Sequence, residues 1–170
     1  MENTNSEYLK KVVTIKLRNN TYFQGILLDT GSNWVLLKYI PVDFVTDGYV
    51  IINTNYISKI NITERDAFKE NILRLKKIEF DFSEKLDLEN TAQLLNILKE
   101  KSKLISIELK NHQKNYVGLI TNAREKSMRV HLISKECEWL KEETFLYNEL
   151  RALYFEDDYL YSLGLLQKEI

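Results

Sequence analysis

The sequence predicts a mainly β chain with short helices (α+β), arranged as two tandem five-stranded, strongly bent small barrels joined by a helical linker. Three observations carry this expectation. Short segments alternate apolar and polar residues with a period of two, as half-buried strands do. Asn, Gly, Asp and Pro punctuate those segments at turn positions. The stretch 13–62 also recurs: Val13-Thr14-Ile15-Lys16-Leu17-Arg18-Asn19 is echoed by Ile105-Ser106-Ile107-Glu108-Leu109-Lys110-Asn111.

Ser6 is placed to cap a short helix, 7–11, that leads into the first strand. Val13, Ile15 and Leu17 face one side of that strand, and Asn19-Asn20 makes the turn, since Asn tolerates left-handed backbone. Residues 22–28 form the partner strand. Gly25 in its interior marks a bulge, a bend or a close backbone approach. Residues 29–33 turn into a third strand, 34–40. Pro41 and Asp47-Gly48 bound a loop, and strands 49–53 and 57–62 flank Thr54-Asn55.

After a one-residue insertion the second copy aligns with Gly118 opposite Gly25. Met128, Val130 and Leu132 then fall opposite Val35, Leu37 and Tyr39, and Phe145 opposite Ile52. Asn148 meets Asn55, and Leu150 and Leu153 meet Ile57 and Ile60. Constant spacing with the Gly and Asn in register favours a true repeat.

Between the copies, Thr63 caps a helix whose apolar face is Phe68, Ile72 and Leu75. Lys76–Phe82 alternates as a short extra strand. Asn90 or Thr91 caps a helix through Lys101 with Leu94, Leu95 and Leu98 on one face. The expected organisation is therefore 1–62 as first barrel with leading helix, 63–89 as helical linker, and 90–170 as second barrel with leading helix and C-terminal tail. The aromatic tail, 154–166, either completes the second barrel as a final helix or offers a partner surface.

At 170 residues, 44% hydrophobic and 29% charged, the composition is that of a folded globular chain rather than a disordered one. No apolar run of about 18 residues marks a transmembrane helix. The polar, acidic stretch 1–7 lacks the pattern of a secretory signal. The lone Cys137 has no partner for an intramolecular disulfide, and the cytoplasm is the expected location.

Charge is uneven along the chain. Stretch 105–133 carries Lys110, Lys114, Arg124, Lys126 and Arg129 against Glu108 and Glu125, and the following third is acidic. A solvated surface explains this better than a footprint for nonspecific nucleic-acid binding.

Little in the chain points to catalysis. His112 falls in a hairpin turn and His131 on the outward side of a strand, with no second ligand at metal spacing. Glu142-Glu143 and Asp157-Asp158 are adjacent, so on a strand they point to opposite faces and make poor acid/base pairs. Phosphate-loop and nucleophile-elbow patterns are absent. No enzyme activity, cofactor or small-molecule substrate is expected.

A helix followed by five bent strands resembles the Sm-like (Sm/LSm) family over 8–62 and, more weakly, over 94–155. Its first motif is matched by Val13-Thr14-Ile15-Lys16-Leu17, Gly25, Asp29 and Asn33. Its second is matched by Val50-Ile51-Ile52-Asn53-Thr54-Asn55-Tyr56-Ile57-Ser58-Lys59-Ile60. Asn20 departs from the customary turn glycine, the interval from Gly25 to Asn33 is short, and Asn53-Thr54 replaces a basic residue and glycine. In the second copy the corresponding sites read Lys126-Ser127 and Leu146-Tyr147-Asn148.

The resemblance implies edge-strand association, so that three chains of two barrels would make a six-barrel ring. It also implies RNA binding near Asn33, with Trp34 either packing in the barrel or stacking on a base. Asn53, Asn55, Lys16, Arg18 and Lys38 complete that candidate nucleic-acid surface. The leading functional expectation is a noncatalytic binding or assembly protein that meets protein partners or its own copies. RNA or single-stranded nucleic acid binding, and SH3-like peptide recognition through surface tyrosines, are the alternatives; no membrane is involved in any of them.

Overall fold

The structure is a computed structural model that describes residues 6–101, 103–111 and 114–167. It is mainly β, with ten antiparallel strands and three α-helices among the described residues. The chain divides into two compact units, one ending at Lys85 and one beginning at Leu86. The first holds β1 (Val12–Leu17), β2 (Tyr22–Thr30), β3 (Trp34–Tyr39), β4 (Tyr49–Asn53), β5 (Ile57–Asn61) and α1 (Glu64–Leu75). The second holds α2 (Thr91–Glu100), β6 (Ile105–Leu109), β7 (Asn115–Ala123), β8 (Ser127–Ile133), β9 (Trp139–Leu146), β10 (Leu150–Phe155) and α3 (Asp158–Gln167).

Each unit arranges its five strands in the same way, β5-β1-β2-β3-β4 in the first and β10-β6-β7-β8-β9 in the second. The match extends to register. Val13 faces Gly25 across β1 and β2, and Ile105 faces Gly118 across β6 and β7. Gly25 then faces Tyr39 where Gly118 faces Leu132. The register shift between Leu27 and Asp29 returns between Ile120 and Asn122, the positions that the aligned repeat makes equivalent. Lys16 and Leu17 span a shift against β5, and Glu108 and Leu109 take the corresponding partners on β10. Shared bulges at shared positions make the two units copies of one strand pattern, because a one-residue slip would reverse every side chain.

The two strand glycines mark close backbone approaches. A Cβ built on Gly25 would lie 2.5 Å from the Lys38 carbonyl oxygen, and one on Gly118 would lie 2.2 Å from that of His131. Lys38 and His131 are themselves equivalent, so both units use a missing side chain to let β3 or β8 press against the strand before it. The Asn19-Asn20 turn is as expected, with Asn20 at φ 63° and its N–H donating to the Leu17 carbonyl (3.0 Å).

A helix follows the last strand of each unit and covers the same outer patch. In the first unit Leu73 of α1 packs with Val12, Ile26 and Ile40, joined by Phe80. In the second, Leu160 and Leu163 of α3 pack with Leu104, Ile133 and Cys137, with Leu119 alongside. The tail thus closes the second unit as a helix. Tyr159, Tyr161, Leu165 and Leu166 remain exposed on its outer side.

Three expectations change. The N-terminal helix is a 3-10 turn, Ser6–Tyr8, among the described residues. No strand forms over 76–82; Phe80 is buried as coil and the Phe82 ring meets Tyr49 edge-on at 4.9 Å. The apolar face assigned to α1 points the wrong way: Phe68 and Leu75 are 58% and 82% exposed, whereas Asp66, Lys69 and Leu73 are buried. The reason is polar. Thr63 and Asp66 form a capping box at the start of α1. The buried Asp66 carboxylate also accepts from Thr14 Oγ1 (2.9 Å) and from the Gln24 amide, a cross-strand pair of β1 and β2. Lys69 donates to Gln24 Oε1 (2.6 Å), and Glu70 accepts the Val12 N–H (3.1 Å). The helix therefore belongs to the first unit and is seated by hydrogen bonds rather than by its apolar stripe.

The second unit buries an ion pair. Glu108 on β6 and Arg151 on β10 are 3% and 2% exposed and in direct contact, and Tyr154 donates to Glu108 Oε2 (2.7 Å). A pair so desolvated must stay together, because removing one partner strands a buried charge.

Gly118→Ala is expected to destabilise the protein by ~1–3 kcal/mol in urea unfolding, because its methyl group must displace backbone. Gly164→Ala, in α3 with nothing within 4 Å of the added carbon, is expected to be neutral or to stabilise by up to ~1 kcal/mol.

Candidate functional site

The polar turns named from the sequence meet at one end of the first unit. Thr54–Tyr56 forms a 3-10 turn between β4 and β5, capped by Asn53, whose Oδ1 accepts the Asn55 N–H (3.0 Å). The turn before β3 docks onto it. Thr54 donates its N–H to the Asn33 carbonyl (3.0 Å) and its hydroxyl to the Ser32 carbonyl (2.7 Å). Arg18, just past β1, donates its N–H to the Tyr56 carbonyl (2.9 Å). Asn33, Asn55 and Arg18 are exposed there, and Asn53 is buried. These contacts hold side-chain amides and a guanidinium on fixed backbone, where they can read a planar polar partner.

The other three residues are placed differently. Trp34 is 1% exposed and is packed in the core, not available to stack on a base. Its pairing with Asn53 orders the end of the ladder. Lys38 lies four residues along β3, ~13 Å from Trp34 at strand rise. Its ammonium donates to the Glu79 carbonyl (2.8 Å) and sits 5.7 Å from the Tyr49 ring centroid. Lys16 lies farther down β1, its ammonium 6.0 Å from the Tyr22 ring. The clamped turns thus gather Asn33, Asn55 and Arg18, supported by Asn53, with Lys16 two residues from Arg18 and Lys38 farther along β3.

Thr54, which ties the two turns together, was not legible as a site residue. Its counterpart shows what the position does. In the second unit Tyr147 donates its N–H to the Lys126 carbonyl (3.1 Å) and its hydroxyl to the Arg124 carbonyl. Lys110 donates to the Glu149 carbonyl (2.8 Å), as Arg18 does to Tyr56. The same turn-to-turn clamp is built with a threonine in one copy and a tyrosine in the other. Asn148, opposite Asn55, is exposed.

His131 lies on β8 as expected, its ring stacked on Trp139 with centroids 4.5 Å apart. Its Nε2–H donates to the Leu140 carbonyl (2.9 Å), because a carbonyl oxygen can only accept. His112 lies outside the described residues. Glu142 and Glu143 take separate partners, Arg129 at 3.6 Å and Lys141 at 3.1 Å. Among the described residues no group of three or more His, Cys, Asp or Glu is placed to hold a metal ion, and no helix is long and apolar enough to cross a membrane.

Burial raises the Tyr147 phenol above the ordinary tyrosine value, and burial with the nearby Asp47 charge raises Tyr39. Both folded-state values exceed the unfolded one, so their contribution to stability is whole below about pH 10 and is lost as pH rises through the folded values. In urea unfolding, the parent should lose stability above about pH 10 more steeply than Tyr147→Phe. Parallel profiles would remove Tyr147 from that account.

Compared with known proteins, the chain matches no family model, no curated protein and no solved structure.

Proposed function

We propose that the chain is a noncatalytic binding and assembly protein built from two Sm-like units, which meets protein partners or its own copies through strand edges. The observation that carries this is the pair of open edges. Among the described residues β5 pairs only with β1, and β9 only with β8. An edge offers a row of backbone donors and acceptors to an incoming strand. The two edges are guarded in different ways. β5 is short and carries Lys59 at its middle. β9 is longer and carries Lys141, Glu142 and Glu143, with Trp139 and Leu140 exposed at its start. Such charges oppose indiscriminate pairing and leave the edge to a partner with complementary charge.

Light scattering across micromolar concentrations is expected to give masses above the 20.2 kDa of one chain. Leu140→Lys together with Trp139→Lys should return the assembly to monomers. A parent that stays monomeric at the highest concentration, and captures no strand-forming peptide, removes the edge reading.

A second reading, RNA binding by the first unit, is favoured by the grouping of Asn33, Asn55 and Arg18 on one clamped pair of turns. It expects salt-dependent affinity for an unstructured RNA oligonucleotide, measured by fluorescence anisotropy. The Asn33→Ala, Asn55→Ala double variant should bind at least about fivefold more weakly, each lost hydrogen bond contributing ~0.5–1.5 kcal/mol. Unchanged affinity in that variant sinks this reading.

A further inference from the structure

The basic stretch of the second unit contains a cavity where β7, β8 and β9 run side by side. It is a small, partly open pocket of about 20 Å³, lined by Asn122, Arg124, Ser127, Met128, Arg129 and Thr144. Its floor is a row across three strands, Asn122 opposite Arg129 and Arg129 opposite Thr144. Directly opposed side chains share a face, so amide, guanidinium and hydroxyl stand together. Arg124 and Ser127 are brought beside them by the β7–β8 turn, where the Arg124 N–H donates to the Ser127 carbonyl (2.8 Å). Tyr147 holds the Arg124 carbonyl from the other side.

The repeat shows that folding does not require this chemistry. The equivalent row in the first unit is Asp29, Leu36 and Ile51, paired in the same register, with Gly31 in the place of Arg124. Leu36 and Ile51 are buried at 1% and 0%. Core positions stay apolar in both copies, Val35 and Leu37 against Met128 and Val130. At the row itself, one carboxylate and two aliphatic side chains stand against an amide, one guanidinium and a hydroxyl, and Arg124 adds a second guanidinium where the first unit has Gly31.

Among the described residues Arg129 pairs with Glu142, at 3.6 Å from one of its nitrogens, with both side chains nearly half exposed. An exposed pair of that kind is weak, and it leaves most of the five N–H donors of the guanidinium unused. No carboxylate pairs with Arg124 among the described residues. Two planar forks and three neutral donors around one small opening suit a compact multivalent acceptor with several oxygens.

We propose that Arg124 and Arg129, with Asn122, Ser127 and Thr144, form a binding site for a phosphate-type tetrahedral oxyanion. Free inorganic phosphate and the phosphoryl group of a small monoester present the same oxygens. The site shares Thr144 with the β9 edge strand but uses none of the turns of the first unit, and its ligand is a small anion rather than a macromolecule.

An NMR titration of the full chain at low ionic strength tests the proposal. Inorganic phosphate is added in one arm, glycerol phosphate in a second, and sodium chloride at matched ionic strength in a third. Saturable shifts centred on the amides of 122–129 and 142–144 are expected in the first two arms and not in the third. Tighter binding in the first arm identifies the free anion as the preferred form, tighter binding in the second a carried phosphoryl group; either supports the site. Arg129→Gln should weaken binding about tenfold, and Arg124→Gln by a similar factor. Glu142→Gln should tighten it, because it removes the competing carboxylate. Both arginines are exposed, so these variants should retain the parent's circular dichroism; if one does not fold, the other carries the test. Non-saturable shifts, equal shifts with chloride, or parental affinity in a folded arginine variant overturns the proposal.

Discussion

At two points in this chain a backbone carbonyl lies where a side chain would begin. The Lys38 oxygen faces Gly25, and the His131 oxygen faces Gly118. Much of each unit follows from that approach. It brings β3 and β8 against the strands before them, and the register shifts at Leu27/Asp29 and Ile120/Asn122 follow two residues later. A bulge increases local twist and re-aims the side chains beyond it. Those redirected ends carry the turns at which Thr54 or Tyr147 clamps one loop to another.

The two units solve a second problem in different chemical terms. Each must cover the outer patch formed by Val12, Ile26 and Ile40 or by Leu104, Leu119 and Ile133. The second unit does so with Leu160 and Leu163, an ordinary apolar seat. The first uses only Leu73 from its helix and relies on Asp66, Lys69 and Glu70 for orientation. Hydrogen bonds are directional, so they fix where α1 sits more tightly than apolar contact would. The arrangement leaves Phe68 and Leu75 facing outward.

Divergence between the copies lies in side-chain chemistry, at buried as well as exposed positions, rather than in strand pairing. Pairing partners, bulges and turn-to-turn bonds are kept while the row Asp29, Leu36, Ile51 becomes Asn122, Arg129, Thr144. The buried Glu108–Arg151 pair stands where the first unit has Lys16 and Ser58. Two copies that keep one backbone pattern and change their side-chain chemistry are suited to different contacts. Fold alone does not assign those contacts; the side chains at each surface do.

The sequence by itself determined the features that depend on near neighbours. Alternation marked the strands of both copies, though also 76–82, which forms none; Asn20 marked its turn, Thr63 and Asn90 capped their helices, and the spacing of Gly25 and Gly118 placed the repeat in register. Part of the candidate site was legible for the same reason, since Asn33 and Asn55 sit on local turns. Only the tertiary structure decided which face of an element would be covered. Period two separates Trp34 from Val35 but does not say that both sides of β3 are buried. Period 3.6 finds the stripe Phe68, Ile72, Leu75, yet partners 52 and 42 residues away in sequence, Thr14 and Gln24, turn α1 onto its polar side. The basic stretch 105–133 was visible as charge, but that Arg124 and Arg129 share one opening follows from strand pairing, which links residues that local pattern cannot connect.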